Sequence, residues 1–159
     1  NMDPEHEILT ARQQDFVFRA RSLGLKATVH VSPGKPVGLS GEIEAFGALV
    51  DQLLSEQPGT TGIFVTSASH VVQAYHALQS HGLAPGRDVD VVVCDNAPFF
   101  LDRLAPRPAV IDINDELVGC RGVDQLLWRI AHRDIANRVR IMIAPVLVPG
   151  EVPKTSAAP

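Results

Sequence analysis

The sequence predicts an α/β fold in which a parallel sheet carries helices on both faces, giving three α/β/α layers. Short, nearly continuous apolar runs at residues 62–65 and 89–94 are rich in β-branched side chains. Such runs are typical of strands that are buried on both faces of a parallel sheet. Longer segments with apolar residues at three- and four-residue spacing separate them, and this alternation indicates right-handed β-α-β crossovers.

The N-terminal part of the chain predicts two helices with a strand between them. Thr10 is a possible N-cap of a first amphipathic helix that ends near Gly24. In residues 26–31 polar and apolar positions alternate and several side chains are β-branched, which favours a strand. The Pro/Gly cluster at 33–36 predicts a turn. Ser40 can cap a second helix, which has the longest apolar stripe of the chain.

The middle of the chain continues the alternation. Ser69 opens a third helix that ends at Gly82, between the two apolar runs. Residues 96–107 are then interpreted as a loop, and residues 109–113 as a brief strand.

The C-terminal part predicts one more helix and an edge strand. The fourth helix covers residues 115–132. The last apolar run, residues 139–148, contains Pro145, so part of it is expected at a sheet edge or crossing between sheets. The tail after Pro149 is rich in Pro, Ala and Ser and is expected to be disordered.

Composition and charge limit the functions that this chain can have. Its 159 residues are 45% hydrophobic and 20% charged, which is typical of one soluble globular domain. The formal net charge of −4 argues against a surface that binds DNA phosphates by itself. The sequence has neither a membrane-spanning apolar stretch nor a signal-peptide pattern, so we expect a cytoplasmic protein with no membrane partner. Its two cysteines suggest neither a disulfide framework nor a zinc site.

The sequence contains no motif of a catalytic or metal centre. Its six histidines show no HExxH spacing, and its glycines form neither a Walker loop nor a GxGxxG turn. Ser67 and Ser69 do not lie in a GxSxG elbow. Cys94 is more typical of a core residue than of a nucleophile. We therefore expect no enzyme, no catalytic residue, no metal and no cofactor.

Several segments resemble the LacI/GalR family of bacterial transcription regulators, over nearly the whole chain from about Leu9 to Gly150. The resemblance is carried by the segment Thr61-Gly-Ile-Phe-Val-Thr, by a helix ending His-Gly-Leu-Ala-Pro-Gly-Arg-Asp-Val, and by Val91-Val-Val-Cys-Asp-Asn. Pro106-Arg-Pro-Ala-Val-Ile-Asp-Ile-Asn resembles the family's return strand. Thr10-Ala-Arg-Gln-Gln-Asp-Phe-Val-Phe resembles the helix that opens the C-terminal lobe.

The resemblance implies a division of the chain. Residues 1–108 would form the C-terminal lobe of a type I periplasmic-binding-protein-like core. The strand and helix at 109–133 belong in the family to the N-terminal lobe, residues 134–150 form a return strand, and residues 151–159 form a disordered tail. The DNA-binding domain and most of the other lobe would precede this chain. The apolar face of residues 109–133 would then lack its sheet, so we expect it to be displaced, swapped or packed in a dimer.

The resemblance also implies a ligand site at the carboxyl ends of the strands, where open α/β sheets bind their ligands. Asp95 directly follows the apolar run at 89–94 and corresponds to the Asp at the mouth of the family's effector cleft. An Asx-type turn at 95–98 is the alternative role for this residue. Ser67 is expected on the same rim, where capping of the next helix would explain it equally well.

This chain has no arginine at the position assigned to the family's effector-clamping arginine. Gln14 stands there, four residues before the aromatic Phe18, and a glutamine offers two donors and one acceptor without charge. Arg12 and Thr10 are available nearby as further ligand-binding candidates. The aromatic residue that lines the family's pocket is replaced near Pro36.

As a function, the resemblance implies a regulator that senses a small polar effector, a carbohydrate or a metabolite derived from one. It implies a homodimer, with the helix at 69–81 and the loop at 99–104 as candidate contacts, and operator DNA bound only through the missing N-terminal domain. A periplasmic sugar-binding transport component shares the fold and would need an export signal. A self-contained flavodoxin-like domain would need a catalytic cluster at Ser67 and Asp95.

Overall fold

The computed structural model describes residues 4–31 and 38–151, with side chains for 7–31 and 41–151. In chain order the elements are α1 (Pro4–Ser22), α2 (Gly38–Glu56), β1 (Gly62–Val65), α3 (Val71–Ser80), β2 (Asp90–Cys94), α4 (Pro98–Leu101), β3 (Ala109–Asp112), α5 (Asp115–Ala131) and β4 (Val146–Val148). A single 3-10 turn, Ala68–His70, leads into α3. No helix in the described ranges is long and apolar enough to cross a membrane.

The four strands form one sheet in the order β1-β2-β3-β4. The first three strands are parallel, with Phe64 opposite Val92 and Cys94 opposite Ile111, which confirms the predicted parallel sheet. The edge strand β4 is antiparallel to β3, with Ile111 opposite Leu147. An antiparallel edge strand on an otherwise parallel sheet is common in such folds.

Side chains alternate between the two faces of the sheet, and helices cover both faces. One face packs against α2 and α3 in a cluster of buried residues: Val65, Val91, Val93 and Val110 of the sheet, Val71, Ala74, Tyr75 and Leu78 of α3, and Val50 of α2. On the opposite face, Phe16 of α1 stacks on Phe64 of β1 with the ring centroids 5.0 Å apart. The layered α/β arrangement is therefore confirmed, because a fully apolar strand needs cover on both sides.

Polar contacts fix α3 against its neighbours. Both ring nitrogens of His81 meet acceptors, with Nε2 2.7 Å from Asp51 Oδ1 of α2 and Nδ1 2.7 Å from the Ala77 carbonyl. These two hydrogen bonds, the one to Ala77 first, raise the pKa of His81. The Tyr75 hydroxyl donates to the Pro106 carbonyl over 2.9 Å, and burial, followed by the charge of Glu151, raises the pKa of Tyr75 to about 12.

The predicted strand at 26–31 is wrong. Residues 25–31 have no regular secondary structure. Val29 and Val31 are 45% and 55% exposed, so the alternation of the sequence meets no buried face. Thr28 Oγ1 instead accepts a hydrogen bond from Gln57 Nε2, just beyond α2, over 2.8 Å. Alternation alone cannot make a strand, because a strand also needs a neighbour that pairs with its backbone.

Several element boundaries differ from the prediction because of where proline and glycine fall. Thr10 and Ser40 lie inside α1 and α2 rather than at their N-caps, since these helices begin at Pro4 and Gly38. Proline fits the first turn of a helix, where its missing N–H is not needed. The same property explains why α4, which begins with Pro98, forms within the predicted loop at 96–107.

The C-terminal strand is shorter than predicted. The strand-like run at 139–148 forms pairs only at Val146–Val148, directly after Pro145, which has no N–H to donate to a sheet. Its position at the edge of the sheet is confirmed. The expected turn at 33–36, the replacement near Pro36 and residues 152–159 of the expected tail lie outside the described residues. Glu151, which was placed in that disordered tail, instead donates its N–H to the Arg107 carbonyl over 2.8 Å.

The division of the chain at residue 108 does not interrupt the sheet. β3 pairs with β2 from Ala109 onwards, so the strand of the 109–133 segment belongs to the same sheet as β1 and β2. The helix of that segment differs, because α5 has no buried residue. Its exposed apolar side chains, 44–61% accessible, are Leu117, Val118, Val123, Leu126, Leu127 and Ile130.

Gly150 packs closely against the backbone that leads into β3, and we expect Gly150→Ala to destabilise the fold. A Cβ at this position would lie 2.6 Å from Ala109 N and 2.8 Å from the Arg107 carbonyl oxygen. Because backbone atoms cannot yield as a flexible side chain does, the free energy of unfolding should fall by about 1–3 kcal/mol. Urea denaturation measures this change.

Gly47 provides a matched control in the middle of α2. Nothing lies within 4 Å of a Cβ built there. Gly47→Ala should therefore raise the free energy of unfolding by about 0.5–1 kcal/mol, since alanine favours helix more than glycine does. A Gly150→Ala protein as stable as the unsubstituted protein, or more stable, would contradict the close approach at Gly150.

Candidate ligand-binding site

Asp95 stands at the carboxyl end of β2 in an unusual backbone conformation. Its φ of 78° lies in the left-handed region, where non-glycine residues are uncommon. Its N–H donates to the Ile111 carbonyl of β3 over 3.1 Å, and its own carbonyl accepts from Ala97 N–H over 3.1 Å. The carboxylate bonds to Arg12 rather than to a backbone amide of the 95–98 turn, so the Asx-turn alternative does not describe its side chain.

Arg12 of α1 grips Asp95 with both ends of its guanidinium. NH2 donates to Oδ1 over 2.9 Å and NH1 donates to Oδ2 over 3.1 Å. NH1 also donates to the Thr66 carbonyl over 2.8 Å, just beyond the end of β1. The two side chains are partly buried, at 22% and 29% exposure. This two-bond geometry is the strong form of an arginine–carboxylate pair, and it joins α1 to the carboxyl ends of two parallel strands.

The structure does not bring Gln14 to this pair. Arg12 and Phe16, four residues apart, lie on the side of α1 that meets the sheet. Gln14 is exposed and lies about 200° around the helix from Arg12, because a helix has about 3.6 residues per turn. Phe18 is 76% exposed. Arg12 and Phe16 therefore have the arginine-to-aromatic spacing that was assigned to Gln14 and Phe18.

Thr10 shares the side of Gln14 rather than that of Arg12, because residues four apart lie on one face of a helix. It is half-buried within α1. Arg12, the third candidate on this helix, bonds to the rim of the sheet at Thr66 and Asp95.

Ser67 lies on the same rim, directly after Thr66. Its Oγ is 3.0 Å from Ser69 Oγ. Ser67 occupies the N-cap position of the 3-10 turn but makes no side-chain capping bond there. Its hydroxyl therefore remains a candidate ligand contact, and capping does not explain it.

A polar cleft of about 400 Å³ lies at the carboxyl ends of β2 and β3 and the start of α5, and Asn96, the residue after Asp95, lines it. Its lining residues are Asn96, Asp112, Asn114, Asp115, Glu116, Leu117 and Cys120. No ligand-binding role was predicted for any of them from the sequence. The signal was available, because Asp112 ends β3 just as Asp95 follows β2, and the carboxyl ends of parallel strands share one edge.

Asp112 is held by its neighbours as a carboxylate. Oδ2 accepts from Asn96 Nδ2 and Oδ1 accepts from the Asn114 N–H, each over 2.8 Å. These bonds, the one from Asn96 first, lower the pKa of Asp112. The Asn114 side chain donates to the Ala144 carbonyl over 2.8 Å. One polar network therefore connects the loop after β2, the start of α5 and the segment before β4.

The arrangement suits non-covalent binding of a polar ligand. The rim offers a guanidinium, carboxylates, amides and a hydroxyl, which can donate to and accept from ligand hydroxyls. Cys94 is buried below Asp95, and burial raises the pKa of its thiol, which disfavours the reactive thiolate. Within residues 4–31 and 38–151, no group of three or more His, Cys, Asp or Glu residues could hold a metal ion.

Comparison with known proteins identifies the family of this chain. The sequence profile of the periplasmic binding protein-like domain matches residues 2–151. No protein with a curated description matches the chain. Among solved structures, a LacI-family transcriptional regulatory protein from Corynebacterium glutamicum is 25% identical, with a TM-score of 0.66 over 88% of this chain and 51% of that chain.

Two further solved structures share the fold. A LacI family transcriptional regulator from Arthrobacter sp. FB24, in complex with lactose, is 22% identical, with a TM-score of 0.67 over 87% of this chain and 49% of that chain. The lac repressor dimer bound to operator and the anti-inducer ONPF is 23% identical, with a TM-score of 0.57 over 69% of this chain and 37% of that chain.

The chain thus spans about half the length of the two LacI-family regulators and a smaller share of the lac repressor. The profile match covers nearly all of it, and the sheet with its flanking helices agrees with that match. The chain belongs to the periplasmic binding protein-like domain family, and it is similar in fold to LacI-family transcriptional regulators.

Proposed function

We propose that this chain is part of a LacI-type transcription regulator and that it senses a small polar ligand, a sugar or a sugar-derived metabolite. The observation that carries the proposal is the two-bond pair of Arg12 and Asp95 at the carboxyl ends of parallel strands, beside a polar cleft. A guanidinium and a carboxylate together can donate to and accept from neighbouring hydroxyls of one sugar ring. The lactose complex of the Arthrobacter regulator supports this ligand class.

The ligand would lie between this lobe and a second one. The exposed apolar face of α5 supports a second lobe, because contiguous apolar surface of this kind marks an interface. In this proposal α5 packs on a lobe formed by an earlier part of the protein. Ligand binding would stabilise the closed arrangement of the two lobes, and closure would reposition the DNA-binding domains of a dimer.

The proposed dimer contact lies on α3 and α4. Most of α3 is buried within the chain, which leaves Val72 and His76, together with Gln79 and Ser80 at its C-terminal end, exposed. Phe99 of α4 is 69% exposed, and the Arg103 guanidinium lies 5.1 Å from the centroid of its ring. An exposed aromatic residue next to an arginine is typical of an interface. The operator-bound dimer of the lac repressor supports dimerisation and operator binding as the mode of action.

A ligand screen by thermal shift tests the proposal. The protein is expressed from its complete reading frame, and its Tm is measured with lactose and with a panel of other neutral monosaccharides and disaccharides. A ligand present at 100 times its Kd stabilises the folded state by about 2.7 kcal/mol. We therefore expect at least one sugar to raise Tm by several degrees and to change the affinity for operator DNA.

Either of two outcomes would contradict the proposal. The absence of a Tm shift with every sugar would argue against sugar sensing. A complete reading frame that carries an export signal in place of a DNA-binding domain would assign the protein to solute capture for transport.

A further inference from the structure

The charges around the proposed site bear on which ligands it can take. We propose that the site selects uncharged, hydroxyl-rich ligands and rejects phosphorylated or carboxylated ones. This inference rests on the proposed function, because it specifies the ligand class of the same site.

Arg12 at the site and Arg107, which bonds to the cleft residue Asn96, both have partners, although the buried Nε of Arg107 has none in the part of the chain that the structure describes. Arg12 forms two bonds to Asp95, and Arg107 donates to Asn96 Oδ1 over 3.0 Å and pairs with Asp102 over 3.5 Å. An anionic ligand that recruited Arg12 would leave the partly buried Asp95 carboxylate without its counter-charge, which is unfavourable. A ligand hydroxyl avoids this, because a guanidinium has five N–H donors and each carboxylate oxygen can accept more than one hydrogen bond.

Three further carboxylates line the cleft without a cationic partner among the residues that the structure describes. They are Asp112, Asp115 and Glu116. The hydrogen bonds from Asn96 and Asn114 lower the pKa of Asp112, so this group is ionised at neutral pH. A phosphate or carboxylate that entered the cleft would meet like charges at close range, and such contacts discriminate strongly against a ligand.

Acidic side chains at the start of α5 also disfavour anions there. The N-terminus of a helix of this length would ordinarily attract a phosphate through its free N–H groups and its dipole. Here Asp115 and Glu116 occupy the first turn, and the Glu116 N–H donates to Asp115 Oδ1 over 2.9 Å. The Asn114 N–H is taken by Asp112. The chain's own carboxylates therefore stand where a ligand phosphate would bind.

Matched pairs of ligands test this selection. Glucose is compared with glucose phosphate and glucuronate, galactose with galacturonate, and trehalose with trehalose phosphate. Thermal shift identifies the sugars that bind the protein expressed from its complete reading frame, and calorimetry then measures Kd for each pair. We expect the charged member of a pair to bind at least about tenfold more weakly than the neutral member.

A charge-neutralised variant isolates the cause. The double substitution Asp115→Asn with Glu116→Gln should bring the two Kd values of a pair closer by about threefold or more. Asp134→Asn removes the same kind of charge from an exposed position outside the cleft and should leave the ratio of the two Kd values unchanged.

The outcomes separate this inference from the proposal on which it rests. Tighter or equal binding of the charged members would overturn the selection for neutral ligands and leave sugar sensing intact. Binding of neither member of any pair would overturn both. If Asp134→Asn changes the ratio of the two Kd values as much as the double variant does, net charge and not the cleft determines the selection.

Discussion

Asp95→Asn is expected to weaken sugar binding by roughly 30- to 150-fold, which corresponds to about 2–3 kcal/mol for hydrogen bonds to a charged group. The variant keeps the size and one oxygen of the side chain but removes the charge that Arg12 and the ligand share. Asparagine is also among the residues that best tolerate the left-handed backbone at this position, where φ is 78°. The loss should therefore arise from the site and not from backbone strain.

Calorimetric titration with a neutral sugar identified in the screen measures this loss. Asp90→Asn is the matched control, because Asp90 is exposed at the opposite end of the same strand, β2. Arg12→Lys provides a second test, since an ammonium cannot form the two-bond fork and should weaken binding as well. Unchanged affinity of the Asp95→Asn protein, with Asp90→Asn as reference, would remove Asp95 from the ligand site.

The core of the fold could be predicted because its signals are local. The runs that form β1 and β2 are apolar on both faces, and α3 carries a clear apolar stripe, so each element is determined by its own residues. The segment at 26–31 also has a local signal, an alternation of polar and apolar residues, but it remains irregular. Whether a segment pairs depends on a neighbour far away in the sequence, and one sequence does not contain that information.

The site was predicted in part, and the error has a simple geometric cause. Asp95 follows a buried strand, so the rule for the carboxyl ends of strands found it. On α1, a register error of two residues favoured Gln14, whereas Arg12 is the residue that reaches Asp95. Two residues correspond to about 200° of helix, so a small error in alignment transfers a role to the opposite face. The contact of Phe16 with Phe64 fixes which face meets the sheet, and that contact joins residues distant in sequence.

Leu78→Ala is expected to lower the free energy of unfolding by about 2–5 kcal/mol, the range for removing a fully buried leucine. Leu78 of α3 is 1% exposed, in the cluster that joins α2 and α3 to the sheet. The missing side chain leaves a cavity that α3 cannot close by itself, because Tyr75 and His81 tie the helix to the Pro106 carbonyl and to Asp51 on either side of that position.

The adjacent residue is the control for this loss. Gln79→Ala removes a side chain from an exposed position of the same helix and should change the free energy of unfolding by less than about 0.5 kcal/mol. Urea denaturation of the two variants, monitored by circular dichroism, gives both values. A loss for Leu78→Ala of less than about 0.5 kcal/mol, as small as that expected for Gln79→Ala, would mean that the packing of α3 on the sheet contributes little to stability. Contacts outside this cluster would then fix the carboxyl ends of β1 and β2, where Arg12 and Asp95 lie.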